Sequence, residues 1–353
     1  MDINKLDKPY IIAEIGCNHN GNTELGIEMI KAAKDCGASA VKFQFFTEDN
    51  LVTSDYLDEL DLGIVKLENV DNWTTEELGL NSVREQIKAF TNDEKQLIVF
   101  RDYCKKIGID FGCTPIDTHA VNFLTKINSD FLKISSMDAD NLQLMTLCME
   151  SNIPIIISTG MATLQDIDKI YNLFKSHNYN NFSILHCISI YPPRDEIVNL
   201  NFIDTLKNVY DCDIGYSDHS LGFSIPIAAI AKGVKIIEKH FTLDKNMPGW
   251  DHKVSADVND MTIICEEGNK VFRSLGSKYK VLAIEEVEKR AKFRRSMTSK
   301  HDLIKGHILS KNDFVYKRPG TGIPPSDEKY YLGRKIKNDI KKDKTILEKD
   351  FKW

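Results

Sequence analysis

Short runs rich in β-branched and aromatic residues recur along the chain, and each is followed by a stretch whose apolar positions have helical spacing. Eight such runs stand out: Tyr10 to Ile15, Ala40 to Phe45, Ile109 to Cys113, Phe131 to Ile134, Pro154 to Ser158, Ser183 to Cys187, Asp213 to Tyr216 and Lys235 to Lys239. Between them LGIEMIKAAKDCG, DEKQLIVFRDYCKKIG, DTHAVNFLTKI, NLQLMTLCMESN, TLQDIDKIYNLFKSH and SIPIAAIAKGV read as helices buried on one face, several ending in the Lys and Gly expected at helix C-termini. Strands alternating with helices call for a parallel sheet with helical crossovers. Eight of them fit a closed (β/α)8 TIM barrel better than an open sheet.

Three stretches break the alternation. From Glu48 to Asn92, between the second and third strands, the chain is acid-rich and carries Gly63 and Gly79. This is a long insertion on the face where barrel loops carry chemistry, and it reads as a solvated loop or as a lid or partner contact. DMTIICEEGNKVFRSLGS closes the barrel as a last helix, and IEEVEKRAKF follows as a charged linker. From Arg294 the pattern changes to short strand-like alternation with a faint repeat, DLIKGHILSKNDF from Asp302 and DIKKDKTILEKDF from Asp339. The expected organisation is a barrel over residues 1–284, a linker over 285–293 and a small, mostly β domain over 294–353.

Composition narrows the class. The 353 residues are 42% hydrophobic and 28% charged, enough for a large core under a solvated surface. Neither a signal-peptide pattern nor a membrane-spanning apolar run occurs, so a cytoplasmic protein without a membrane partner is expected. The net charge of −6, with basic and acidic residues mixed, carries no footprint for nucleic acid. The eight cysteines are scattered without a C-x-x-C pair, and Cys113 and Cys187, in apolar runs, read as reduced core thiols.

In a barrel of this kind the chemistry gathers at the C-terminal ends of the strands. The first strand ends in Glu14, and the second carries Lys42 and Gln44 on one face. Thr114 ends the third, Lys133, Ser135, Ser136 and Asp138 follow on the fourth, and Ser158 ends the fifth. His186, Ser189 and Tyr191 mark the sixth, Ser217, Asp218 and His219 the seventh, and Glu238 and His240 the eighth. A lysine inside an apolar strand needs an anionic partner. For Lys42 and Lys133 that partner is either a phosphate or carboxylate ligand, or an internal Glu14 or Glu238. His219 and His240 end adjacent strands and are within reach of one metal ion, with Asp251 of PGWDH in support; the alternative is two ordinary structural histidines.

EIGCNHNG, VKFQ, CTP, LKISS, ISTGM, LHCISIYP, GYSDHS and EKHFTLDKNMPGWDHKVS resemble, in order and spacing, the sialic acid (nonulosonic acid) synthase family. KRPGTG and the repeat around it resemble the antifreeze-like (SAF, β-clip) domain that ends those enzymes. The resemblance spans nearly the whole chain. It implies condensation of phosphoenolpyruvate with an N-acetylated hexosamine aldehyde, in a homodimer whose small domain reaches over the partner's barrel. It also implies a divalent metal on His219 and His240, manganese first, with magnesium or cobalt as alternatives. Lys42, Thr114, Lys133, Ser136, Ser158, Ser189 and Ser217 are then expected around phosphoenolpyruvate. Gln44, Asp138, Tyr191, Asp251 and the partner's Arg318 are expected around the sugar. Glu14 is expected to position or deprotonate a reacting water.

Several positions depart from the family pattern. Asp138 stands where a glutamate is usual, Ser189 where asparagine or threonine is common, and Arg294 near an expected aromatic. With the long insertion, these departures favour a sugar other than plain N-acetylmannosamine, a legionaminate-type precursor being the alternative. A barrel aldolase using Lys133 or Lys42 as a Schiff-base lysine is the competing enzyme class.

Overall fold

A computed structural model describes residues 8–62 and 79–352. The middle of the insertion, including Gly63, lies outside the described residues. The chain divides into two compact units, Met1–Gly276 and Ser277–Trp353.

The first unit is a closed barrel of eight parallel strands in sequence order. They are β1 (Tyr10–Gly16), β2 (Ala40–Phe45), β3 (Asp110–Pro115), β4 (Phe131–Ile134), β5 (Ile155–Ser158), β6 (Phe182–Cys187), β7 (Asp213–Asp218) and β8 (Ile236–His240). The ring closes where β8 pairs with β1, Tyr10 opposite Ile236 and Glu14 opposite His240. In chain order the helices of this unit are α1 (Thr23–Asp35), α2 (Glu48–Leu51), α3 (Ser54–Asp61), α4 (Val83–Phe90), α5 (Glu94–Ile107) and α6 (Thr118–Lys126). They continue as α7 (Leu142–Glu150), α8 (Leu164–Ser176), α9 (Phe202–Val209), α10 (Ser224–Ala231) and α11 (Val258–Leu275). Local signals set several ends: Asp93 and Gln96 form a capping box at the start of α5, and Gly108 stops it at φ 72°.

The period-two alternation of the strands builds the barrel interior in layers. Ile12, Ala40, Phe131, Ile156, Leu185 and Ile236 fill the lower layer and are buried. Gly112 and Gly215 complete it because their neighbours are large: a Cβ on Gly112 would lie 2.0 Å from the Phe131 ring, and one on Gly215 would lie 2.3 Å from Leu185. Two residues further along each strand stand Glu14, Lys42, Thr114, Lys133, Ser158, Cys187, Ser217 and Glu238. The interior thus turns from apolar to ionisable in one step up the barrel. The opposite parity, including Ile11, Val41, Phe43, Phe111, Ile184 and Ile237, packs outward against the helices in the main core.

The described parts of the insertion form a small core of their own. Leu57, Leu60, Ile87 and Phe90 from α3 and α4 pack with Cys17 and Phe46 at the tops of β1 and β2, with Leu51, Ile116 and Trp250 alongside.

In the second unit the segment 285–293, expected as a linker, lies within a helix, α12 (Ile284–Phe293), and the division between units falls earlier, at Gly276. Glutamate, lysine, arginine and alanine dominate the segment and are strong helix formers, while the glycine ends α11. Beyond it β9 (Ser296–Ser299) and β10 (Phe314–Lys317) pair antiparallel. The two repeats clasp each other about an antiparallel bridge between Leu303 and Ile340. Asp302 accepts from the Lys342 backbone N–H at 2.7 Å, and Asp339 accepts from that of Lys305 at the same distance. Asp313 and Asp350 likewise each accept from the backbone three residues earlier, at Ser310 and Leu347. The faint repeat is therefore a structural pseudo-symmetry.

Candidate active site

The ionisable layer and the residues above it line a cavity of about 390 Å³ at the C-terminal end of the barrel. At its floor are two lysines and two glutamates. Lys42 Nζ lies 2.7 Å from Glu14 Oε1 and 3.5 Å from Glu238 Oε1, and Lys133 Nζ lies 3.3 Å from Glu238 Oε2. The lysines pair with the internal carboxylates, the second of the two sequence alternatives, and they also face the cavity. Burial works to raise Glu238, but Lys133 and Lys42 outweigh it and hold the carboxyl down to about 2. Burial raises Glu14, Lys42 opposes and the charge of Glu238 adds, leaving its carboxyl above the ordinary value. Burial acts to lower Lys42, but Glu14 and Glu238 keep it raised; Lys133, also buried and repelled by Lys42, is lowered. Gln44 fixes Glu14 by donating to Oε1 at 2.8 Å. Gly16, at φ 53°, leaves that carboxylate its space, since a Cβ there would lie 2.9 Å from Oε1.

Hydroxyl groups surround the lysines. Thr114 Oγ1 accepts from Lys42 at 2.9 Å, and Ser136 Oγ accepts from the Gly160 backbone N–H at 3.0 Å. Gly160 is required for this grouping, because a Cβ would lie 2.1 Å from Ser189 Oγ and 2.8 Å from Ser136 Oγ. Ser158, Ser189 and Ser217 also line the cavity. Ser158 Oγ, Glu14 Oε2, His240 Nδ1 and Trp250 Nε1 are buried there without a hydrogen-bond partner, as groups meant for a polar ligand would be.

His219 and His240 stand side by side with ring centroids 5.4 Å apart, and Tyr191 stacks on His219 at 3.9 Å. His219 Nδ1 donates to the Ile188 carbonyl at 2.7 Å; burial works to lower this imidazole, but Cys187 and that hydrogen bond outweigh it and leave it above the ordinary value. Burial lowers His240 to about 4, with Asp251 opposing, so its imidazole is neutral near pH 7; its Nδ1 is 3.5 Å from Asp251 Oδ2. Two imidazoles beside a carboxylate are a donor set suited to a divalent ion, whose binding would displace any proton on His219. Among the described residues no three His, Cys, Asp or Glu side chains converge as a closed metal cage. The donors fit an open site, with substrate or water completing the coordination.

Of the residues expected from sequence, Glu14, Lys42, Thr114, Lys133, Ser136 and Ser158 line this one cavity, and so do Ser189, Ser217, His219, His240, Gln44 and Tyr191. Asp138 is not on its wall: the carboxylate is occupied locally, accepting from Ser135 Oγ at 3.2 Å and Asn141 Nδ2 at 3.1 Å. Asp251 is present through His240. Arg318 belongs to the second unit, where its guanidinium lies 5.0 Å from the Phe293 ring centroid, so the aromatic beside Arg294 is Phe293. His186 turns outward and bonds to the Val198 carbonyl at 2.7 Å.

Other wall residues escaped the sequence reading. Cys187 is more than a core thiol, since it lines the cavity with Sγ 3.9 Å from His219 Nδ1 and 3.6 Å from Ser136 Oγ. Phe46, Leu51, Ile116, Met137, Met161 and Trp250 form an apolar wall above the polar floor. Among these, Leu51 and Trp250 owe their place to the insertion core and to the loop after β8, which no local pattern reveals.

A barrel with buried lysines, hydroxyls and a histidine pair at the tops of its strands is an enzyme scaffold for an anionic substrate. The NeuB family model matches residues 29–280 and the SAF domain model matches residues 294–352. The chain is 36% identical over 342 residues to the N,N'-diacetyllegionaminic acid synthase of Legionella pneumophila, covering 96% of this chain and 93% of that one. It is 34% identical to the protein of that name from Campylobacter jejuni, covering 97% of this chain and 100% of that one. A crystal structure of N-acetylneuraminic acid synthetase from Leptospira borgpetersenii superposes with a TM-score of 0.69 at 32% identity, covering 80% of this chain and 90% of that one. The chain belongs to the NeuB family.

Proposed function

We propose that this NeuB-family protein condenses phosphoenolpyruvate with an N-acylated hexosamine aldehyde, releasing phosphate and forming a nonulosonic acid. The observation that carries this reading is the convergence of Lys42 and Lys133 with the hydroxyls of Thr114, Ser136, Ser158, Ser189 and Ser217 at one end of the barrel. That arrangement offers a phosphate and a carboxylate separate partners.

Lys42, Lys133 and the hydroxyls hold phosphoenolpyruvate and fix the direction of its C3. The sugar aldehyde lies between that carbon and His219 and His240. A divalent cation, manganese first, with magnesium or cobalt as alternatives, is proposed at those two histidines; when bound, its chemistry is polarisation of the aldehyde oxygen. Bond formation from C3 to the aldehyde carbon leaves positive character at C2, which water attacks. Glu14, raised by burial and already oriented by Lys42 and Gln44, takes a proton from that water. The resulting tetrahedral centre loses phosphate with its bridging oxygen and the proton of the new C2 hydroxyl, the proton held by Glu14 passes to the oxygen of the former aldehyde, and a keto acid remains.

The charges support the need for compensation on binding. The two lysines are already offset by two carboxylates, so an incoming polyanion calls for a cation at the histidines.

The apolar wall of Phe46, Leu51, Ile116, Met137, Met161 and Trp250 favours a second, finer reading, a 2,4-diacetamido-2,4,6-trideoxy sugar in which a methyl and a second acyl group replace hydroxyls. The experiment that tests both readings compares phosphate release with that sugar and with N-acetylmannosamine, with and without added manganese. The trideoxy sugar is expected to give at least a tenfold higher kcat/KM. Equal values would remove the finer reading, and no release with any N-acylated hexosamine would remove the main one.

The proposal includes a homodimer in which Arg318 of the partner approaches the sugar. It is supported by α12, where Ile284, Val287 and Phe293 are exposed, as an association surface would be.

A further inference from the structure

Directly behind the two histidines lies a charged pair with no role in the reaction as drawn. Asp218 and Lys239 are opposite each other in the β7–β8 register, at the last position before His219 and His240. Both side chains are fully buried, and Lys239 Nζ lies 2.6 Å from Asp218 Oδ2. By strand parity they face the helix layer, away from the cavity.

The other groups bonded to this pair come from β7 and the turn that follows it. Asp218 Oδ1 accepts from Tyr216 OH at 3.0 Å, from the Ser220 backbone N–H at 3.0 Å and from Ser220 Oγ at 2.7 Å. Lys239 also donates to the Ser220 carbonyl. His219 is therefore gripped on both sides along the chain, by Asp218 before it and Ser220 after it, and the grip is tied across to the residue preceding His240.

Burying two ions in an apolar layer is costly, and an apolar pair of similar size generally packs there at least as stably. Stability alone does not account for the choice. What the ion pair supplies is direction: it fixes the end of β7 against the end of β8 at the position that sets how the imidazoles face each other. We infer, building on the reading of His219 and His240 as a divalent-cation site, that Asp218 and Lys239 are positioning residues that fix the separation of the two imidazoles for a shared cation. They touch neither substrate nor cation and act through the backbone of the histidines.

The test measures manganese affinity of the full-length protein by electron paramagnetic resonance, alongside thermal unfolding and phosphoenolpyruvate binding without metal. Asp218→Asn and Lys239→Met each leave a buried group uncompensated and are expected to unfold at lower temperature. The double variant Asp218→Leu/Lys239→Met removes both charges together and is expected to stay folded and melt above either single variant, although Tyr216 and Ser220 lose their acceptor. It should nevertheless bind manganese about 10- to 100-fold more weakly, the usual effect of losing an outer support of metal ligands, with phosphoenolpyruvate affinity within about twofold. A well-folded double variant with parental manganese affinity overturns the positioning role and leaves the pair structural. His219→Ala and His240→Ala separate the two layers: if they bind manganese like the parent, the cation site itself is wrong and the positioning role falls with it.

Discussion

Lys133 shows how much a single position can carry. It sits two residues above Phe131, where the barrel turns from apolar to ionisable, and its ammonium is shared between Glu238 and the cavity. Lys133→Met keeps the length of the arm and removes the charge, leaving Glu238 to Lys42 alone. Phosphoenolpyruvate KM is expected to rise at least tenfold, since a charged hydrogen bond to a phosphate or carboxylate contributes on the order of 1.5–3 kcal/mol. Steady-state kinetics at several phosphoenolpyruvate concentrations measure it, and an unchanged KM would place the anion elsewhere. The residue was legible because a lysine in an apolar strand is conspicuous. Cys187 was not, since a cysteine in an apolar run looks the same whether it faces core or cavity, and only its parity with Leu185 on β6 separates the two. Asp138 lies off the wall for a local reason: its neighbours Ser135 and Asn141 satisfy it, a competition that short polar side chains often win in turns.

At the scale of elements, the eight strands could be read within two residues of their observed ends, because buried parallel strands leave dense apolar runs. The insertion could not. Its helices α3 and α4 are short and charged outside, and their few apolar residues acquire meaning only by packing on Cys17, Phe46 and Trp250. The C-terminal repeat yielded its pairing through the turn aspartates, and one of them makes a pH prediction. Asp313 accepts from His301 at 3.0 Å and from His307 at 2.9 Å. Burial works to raise its carboxyl, but the hydrogen bonds from His307 and Ser310 prevail and hold it down to about 2. A carboxyl depressed in the folded state contributes stability above its unfolded value of about 3.9 and loses it as pH falls toward the folded value. The melting temperature of Asp313→Asn should therefore lie below that of the parent at pH 6, and the gap should close between about pH 4 and pH 2. A gap that is constant across that range would contradict the assignment.

For the whole molecule, the barrel turns eight separate sequence motifs into one cavity by a single rule of spacing. The apolar residue that fills the lower layer of each strand predicts, two positions on, the group that faces the ligand. Sequence could supply that list, but not the distances that pair Lys42 with both Glu14 and Glu238, nor the wall brought in from the insertion and the loop after β8. In the proposed condensation, phosphate leaves with the bridging oxygen of phosphoenolpyruvate. The most direct measurement uses phosphoenolpyruvate carrying heavy oxygen at that bridging position, together with an N-acylated hexosamine, manganese and the full-length protein, and weighs the phosphate by mass spectrometry. Label in the released phosphate, with a product whose mass equals sugar plus pyruvate, is the expected result. Unlabelled phosphate, or release that proceeds at the same rate without the sugar, would contradict it.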